Sequence, residues 1–344
     1  MAPTGRRRRY ITVHLEAPPV HRPPRCRLKR QPSNGRSMDA LVGAGGWGYF
    51  TGGLESYARG FRFVEVNASF YRPVPETYAR RWRSRVPADF VFALKASQVV
   101  THADRLHATA RGRTALAHDL RIAGILRAPF VILETPASLG FEKEEVSGLR
   151  ELAAMVPGGT RLGLEARAFR RGPLPHELER AMADGRVLDV VDLSQTKPRL
   201  ADSDVYTRLF GPGPSNVYQF DDAEMREVDR SSGDAIRTAF TFHGVRMYQD
   251  AARFLTFKRT GAFPAATDRR GLASLEEVLG QDARFPASRD ELVKDQGWKV
   301  FDLDDKTRAH AAMFLERLPE KVYADLTEAL SDLRAVSIGF EPTP

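Results

Sequence analysis

Phe63-Val64-Glu65-Val66-Asn67 is the stretch on which the fold turns. Side chains alternate between the two faces of a strand, so Val64 and Val66 share one face while Glu65 and Asn67 share the other. The valines suit an interface with helices. An acid and an amide on the opposite face suit the lumen of a barrel, where chemistry gathers at the carboxyl ends of the strands.

Seven further runs resemble this one: residues 41–45, 90–95, 130–134, 161–167, 187–193, 205–209 and 238–243. Amphipathic segments separate most of them, as at 76–85, 109–126, 144–155 and 175–183, and residues 246–258 follow the last. Short strands alternating with helices specify a parallel sheet covered by helices. Eight such units in about 220 residues lie near the lower end of the range for an α/β protein of the (β/α)8 TIM-barrel type. An open doubly wound sheet is the alternative, but no strand leads into a G-x-G-x-x-G turn.

The parity of strand two extends around the barrel. It places Lys95, Glu134, Glu165 with Arg167, Asp192 with Ser194, Tyr206 with Arg208, and Thr241 with His243 on the lumen side. Charged residues are almost never buried unless paired, so such a ring either neutralises itself or serves a ligand. For any single member self-neutralisation and a ligand role are equally good readings. For the whole ring a ligand site is favoured, because Lys95, Arg167, Arg208, His243 and Asn67 facing several carboxylates suit an anionic or polyhydroxylated small molecule.

A divalent metal on Glu65, Glu165, Asp192 and His243 is the competing chemistry. It is not favoured, since Lys95 and Arg167 repel a cation and no H-x-H or H-E-x-x-H spacing occurs; the cofactor is otherwise unknown. Residues 211–216 offer a glycine-containing loop where this fold often holds phosphate, though Pro212 and Pro214 supply no N–H. His102 reads as a cap of the following helix rather than an acid–base group. Trp47 and Tyr71, each just past a strand, are expected to floor the pocket or to pack under a loop. Asp250 with Arg246 and Arg253 reads as a solvated ion-pair face.

Composition bounds the rest. The chain has 344 residues, 42% hydrophobic and 28% charged, with a single cysteine. One thiol excludes an internal disulfide framework and any multi-cysteine metal centre. No apolar run spans a bilayer, so no membrane role is expected and a reducing cytoplasm fits. The net charge of +8 is unevenly placed. Residues 1–37 hold ten basic side chains and one acid, whereas residues 38–344 hold 42 basic and 43 acidic. The proline- and arginine-rich 1–37 segment is expected to be a disordered basic tail. An arm for polyanions and a targeting segment are alternatives to the favoured reading, a start of translation at Met38. Cys26 lies in the tail and has no expected role. After Gly261 the alternation stops, and helices at 274–279, 289–293, 307–318 and 320–333 suggest a small C-terminal helical domain or helices packed on the barrel.

Several motifs in register resemble the DUF72 (YecE-like) family. They are Gly43-Ala44-Gly45-Gly46-Trp47-Gly48-Tyr49, Val64-Glu65-Val66-Asn67-Ala68-Ser69-Phe70-Tyr71, and Phe90-Val91-Phe92-Ala93-Leu94-Lys95 with Thr101-His102. Leu164-Glu165-Ala166-Arg167 and Tyr206-Thr207-Arg208-Leu209-Phe210-Gly211 complete the set, which spans about residues 41–262. The resemblance implies a TIM barrel and a family of no established activity. The chain departs from the family at Glu134-Thr135-Pro136, where a Gln-Leu-Pro-like motif is usual, and at Phe242-His243-Gly244, where a Phe-Asn-Asn-like motif is usual. Phe285-Pro286-Ala287-Ser288-Arg289-Asp290-Glu291-Leu292-Val293 and Leu318-Pro319-Glu320-Lys321-Val322-Tyr323 resemble the helical DUF2795 domain over roughly 271–334.

The expected organisation is a tail to residue 37, a barrel over 38–264 and a helical domain over 271–334. The expected function is an enzyme of unknown reaction acting on a small anionic or sugar-like molecule. Glu65, Glu165 and Lys95 are the catalytic candidates, and Trp47, Asn67, Tyr71, Arg167, Asp192, Arg208 and His243 the substrate-binding ones. Metal-dependent phosphodiester cleavage of nucleic acid is the second reading, disfavoured by the near-neutral body. The third is a scaffold whose C-terminal helices recruit a protein partner.

Overall fold

The computed structural model describes residues 39–337, which belong to one compact unit. The tail, with Cys26 and the expected start at Met38, lies outside the described residues. The chain runs β1 (Asp39–Ala44), α1 (Gly53–Gly60), β2 (Phe63–Val66), α2 (Ala68–Tyr71), α3 (Glu76–Ser84), β3 (Val91–Lys95), α4 (Ala110–Leu126), β4 (Phe130–Glu134), α5 (Lys143–Ala153) and β5 (Arg161–Glu165). It continues through α6 (His176–Asp184), β6 (Leu188–Asp189), β7 (Asp204–Leu209), α7 (Asp222–Ser231), β8 (Arg237–Phe242) and α8 (Met247–Thr260). All eight strands are parallel, in the order β6-β5-β4-β3-β2-β1-β8-β7. A single bridge, Val191 to Thr207, brings the two edge strands together and leaves a nearly closed TIM barrel.

The expected parity holds. Leu41, Phe63, Ala93, Phe130, Ile132, Leu188, Val190, Tyr206 and Ala239 fill the lumen as one apolar cluster. Val42, Val64, Val66, Phe92, Leu94, Val131, Leu133, Leu162, Leu164, Phe240 and Phe242 face outward into the helix layer. The charged ring therefore stands on an apolar plug. β6 is shorter than the expected 187–193 because Asp192 turns the chain, accepting the amides of Ser194 at 3.0 Å, Phe210 at 3.0 Å and Gly211 at 3.1 Å.

The C-terminal segment contains α9 (Leu272–Leu279), β9 (Ala287–Ser288), α10 (Arg289–Gln296), β10 (Val300–Asp302), β11 (Arg308–His310), α11 (Ala312–Leu315), β12 (Val322–Tyr323) and α12 (Leu326–Ser337). Its side chains form a hydrophobic cluster of their own around Leu275, Phe301, Leu315, Tyr323 and Leu330. The expected helix over 307–318 is instead a strand followed by one helical turn, because Arg308 pairs across the hairpin with Asp302 and its guanidinium caps the same buried carboxylate at 2.9 Å. The helix expected from 320 starts at Leu326, since Val322 and Tyr323 pair with β9.

Asp250 and Arg253 on α8 are another correction. They are not a solvated face: both are buried, and Arg253 bonds Asp222 at 2.6 Å and the Phe220 carbonyl at 2.6 Å. A second chain segment covers that helix face, which helical spacing alone does not reveal.

Candidate functional site at the barrel mouth

Arg208 on β7 is the centre of the site. Its side chain is 2% exposed, and its guanidinium donates to Glu65 at 3.1 Å and, in shorter contacts, to Glu134 and Glu165. Strands β2, β4 and β5 thus each carry a glutamate, the last residue in β4 and β5 and the last but one in β2, aimed at one cation. Tyr206, one lumen position below, donates its hydroxyl to Glu65 Oε2 at 2.8 Å. Lys95 Nζ lies 2.9 Å from Glu134 Oε2 and 3.7 Å from the centre of the Phe70 ring. His243 Nε2 faces Glu65 Oε1 at 3.5 Å, with Phe210 stacked on the imidazole at 4.8 Å. Gly45 makes room for that ring, because a Cβ there would sit 2.3 Å from it.

Burial and charge set the protonation states. Burial raises the Glu65 pKa, but Arg208, His243 and Lys95 together outweigh it and leave the carboxyl well below the usual range. Glu134 is likewise pulled down, to about 2, by Arg208 and Lys95 acting against burial. Lys95 is shifted down by its own burial and by Arg208, with Glu134 opposing. Burial and Arg208 also lower His243, with Glu65 opposing.

At the rim the pairing is looser. Arg167 Nη1 is 3.3 Å from Glu134 Oε1 and its Nε 4.0 Å from Glu165, while Arg170 is 3.6 Å from Glu165 Oε1. Their side chains are 35% and 34% exposed. Thr135 fixes this end of β5, accepting the Arg167 amide at 3.3 Å and donating to the Glu165 carbonyl at 3.0 Å. A small cleft lined by Glu165, Arg167, Arg170, Asp192, Thr196 and Arg199 opens beside the ring. A larger cleft at the opposite, amino-terminal face of the barrel holds none of the ring residues.

Of the residues singled out by sequence, Glu65, Lys95, Glu165, Arg167, Arg208 and His243 come together. Asn67 joins their edge, donating Nδ2 to the Gly45 carbonyl at 2.9 Å and leaving a buried Oδ1 without a partner. Asp192 lines the cleft, but its carboxylate is spent on amides of its own loop and of the loop after β7. Trp47 packs edge-on against Trp82 at 5.1 Å and Phe92 at 6.4 Å, in the layer between sheet and helices. Tyr71 is 70% exposed beside Phe70. His102 does not cap α4, whose cap is Thr109. It lies on a π-helical turn against Phe70, with Nδ1 2.9 Å from Thr101 Oγ1.

Glu134 and Arg170 were absent from the sequence-based site. Glu134 was visible in the lumen parity, and Arg170 follows Arg167 by one helical turn. The loop at 211–216 is packed against itself: a Cβ at Gly211 would meet Tyr218 at 2.3 Å, and one at Gly213 the Val217 carbonyl at 2.2 Å. Glu65, Glu165, Asp192 and His243 do not meet at one point, and Arg208 stands among the glutamates. Among the described residues, metal-type side chains converge instead at Asp221, Glu224 and His310.

A parallel eight-stranded barrel with an ionised carboxyl-end mouth defines a TIM-barrel protein. The chain belongs to the DUF72 family, described as proteins of unknown function, whose sequence profile matches residues 50–262. A DUF72 family protein from Thermotoga maritima shares the fold at a TM-score of 0.53 and 19% identity, over 64% of this chain and 100% of that one. Another, from Enterococcus faecalis, does so at 0.50 and 16%, over 64% and 98%. Endonuclease IV from Thermus thermophilus is fainter, at 0.34 and 16% over 64% and 97%, a distance at which the likeness says nothing of chemistry. No curated protein matches the chain.

Proposed function

We propose that the barrel mouth binds a small anionic molecule, of carboxylate or phosphate type, and acts on it as an enzyme. One observation carries this reading: Arg167 and Arg170 stand a third exposed above a buried ring whose three glutamates already share Arg208 and Lys95. Their charge is only loosely spent inside the protein. An anion bridging the two guanidiniums would be held by charge-assisted bonds beside the cleft.

In this reading Glu65 orients Arg208 and Tyr206 and does not exchange protons, since it stays ionised. Glu165, at the rim beside both arginines, and Lys95, with its lowered pKa, are the groups placed for proton transfer. His243 and Asn67 read neutral polar groups of the ligand. The chain reads as a barrel domain over 38–264 followed by a DUF2795-like segment over 271–334, a division supported by that segment's separate hydrophobic cluster.

The test is a thermal-shift screen of the full chain against organic acids, inorganic phosphate and phosphorylated sugars, since a ligand of the native state raises its apparent stability. At least one anion should raise the melting temperature in the wild type and lose that effect in the Arg167→Ala/Arg170→Ala double variant. Stabilisation that survives the double substitution, or none by any anion, would sink the proposal.

A further inference from the structure

Beyond Lys95 at the end of β3 the chain enters a π-helical turn, Val99–Ala103, that carries His102. Single π turns are rare and gather at functional sites. This one is pinned at both ends. At its entrance the Ser97 amide donates to Asp119 on α4 at 2.7 Å, and that carboxylate is 1% exposed and pairs with no cation among the described residues. A buried acid without a counter-charge is costly, so the fold holds this piece of backbone in place at the expense of stability. At the exit Asp104 accepts the Thr109 hydroxyl at 2.6 Å and pairs with Arg111.

The imidazole is oriented as well. It stands edge-on to Phe70 with ring centres 5.0 Å apart, and the same phenyl ring carries Lys95 Nζ 3.7 Å from its centre. Nδ1 is 2.9 Å from Thr101 Oγ1. Thr101 is fully buried, and its hydroxyl has no other partner among the described residues, so the hydroxyl proton is donated to Nδ1. In the neutral ring the imidazole's own proton then sits on Nε2. Nε2 forms no hydrogen bond or ion pair among the described residues, and solvent reaches it on a half-buried side chain. Charges of the mouth act on this ring: burial lowers its pKa, Glu134 opposes, and Lys95 and Arg167 add to the lowering. A fixed N–H donor thus stands unspent in the charge field of the rim where Arg167 and Arg170 are a third exposed.

We propose that His102 is a further catalytic residue of the mouth, donating Nε2–H to an acceptor oxygen of the anion that Arg167 and Arg170 hold. The inference rests on the reading of the mouth as an anion site. It adds that the bound carboxylate or phosphate meets a neutral donor besides the two guanidiniums. Such a donor, fixed through its other nitrogen, stabilises charge that develops on the oxygen without a proton leaving the ring. Lys95, against the same Phe70, stays the group placed for proton transfer.

The experiment uses the full chain with isotope-labelled histidine and titrates inorganic phosphate, with malonate in a parallel arm. Proton–nitrogen correlation spectra distinguish Nε2–H from Nδ1–H rings, and the spectrum of His102→Gln assigns the signal. Free His102 should show the Nε2–H form. Its Nε2 signal should move on saturation with either anion in the wild type and stay still in Arg167→Ala/Arg170→Ala. By calorimetry His102→Leu should bind at least about tenfold more weakly, the loss of one hydrogen bond to a charged group. His102→Gln, whose amide can place a donor where Nε2 stood, should recover most of that loss. An Nδ1–H ring would overturn the assignment. Arginine-dependent binding with an unmoved His102 signal and equal affinity in His102→Leu would overturn this inference alone and leave the anion site standing. No arginine-dependent binding of either anion would overturn both.

Discussion

A guanidinium that is 2% exposed and shared by three glutamates dominates the chemistry at the scale of single residues. Breaking a buried ion network by removing one partner leaves the others uncompensated, at a typical cost of about 3–5 kcal/mol. Arg208→Met should therefore lower unfolding free energy by about that amount in urea titrations, and a loss under about 1 kcal/mol would mean that water already reaches the carboxylates. Lysine is no substitute, because a point charge cannot span three acceptors. The same network has an acid limb. Glu65 and Glu134 have folded pKa values below the ordinary 4.5, Glu134 at about 2. Their stabilisation is complete above the unfolded value and is lost as pH falls through the carboxylate range toward 2. Urea midpoints should decline below pH 4.5, and less steeply in Glu134→Gln; an equally steep decline in that variant would remove Glu134 as a contributor. Glu65 was legible as a lumen residue from the alternation Val64-Glu65-Val66-Asn67. Its ionised state was not, because that depends on Arg208, which the sequence places 143 positions away.

Among the elements, α5 shows how a close approach fixes a loop that serves the mouth. A Cβ at Gly148 would sit 2.1 Å from the Leu106 carbonyl and 3.1 Å from the Ala108 nitrogen, so only glycine lets residues 106–108 lie against the helix. Overpacking of this kind costs about 1–3 kcal/mol. Gly148→Ala should be destabilised by that amount in thermal or urea melts, whereas a gain, as helix propensity alone would give, would show that the loop yields. The strands and most helices of the barrel were readable from periodicity, and their ends moved by one or two residues. β6 was the exception, since Asp192 diverts the chain by accepting amides from the loop after β7, a tertiary event. α11 and the hairpin before it also escaped, because apolar spacing at 307–318 fits a helix until Arg308 finds Asp302.

Across the whole molecule, polar contacts tie the C-terminal segment to the barrel. Gln219 accepts the Val300 amide at 3.0 Å, and Arg308 bridges Asp302 to Asp222 at 2.9 and 3.4 Å. Arg308 is buried, so Arg308→Ala removes the cation that bridges two buried acids, which keep Arg253 on Asp222 and Thr267 on Asp302, and should cost about 3 kcal/mol. With Arg308 intact, fluorescence from Trp298 in a Trp47→Phe/Trp82→Phe variant and far-UV circular dichroism should trace one unfolding transition. Separate transitions would show that the segment unfolds on its own. Among the described residues no helix is long and apolar enough to cross a membrane. The sequence by itself determined the eight β/α units, the side of each strand that faces the lumen and the ionisable character of the mouth, because alternation and apolar periodicity are local properties of the chain. Only the tertiary structure decided which charges pair, that Arg167 and Arg170 remain accessible, that Trp47 turns away, that Asp192 spends its carboxylate on loop amides, and that His310 meets Asp221 and Glu224. Those outcomes depend on distances between residues far apart in sequence, and electrostatic pairing at a few ångströms is set by how the barrel closes.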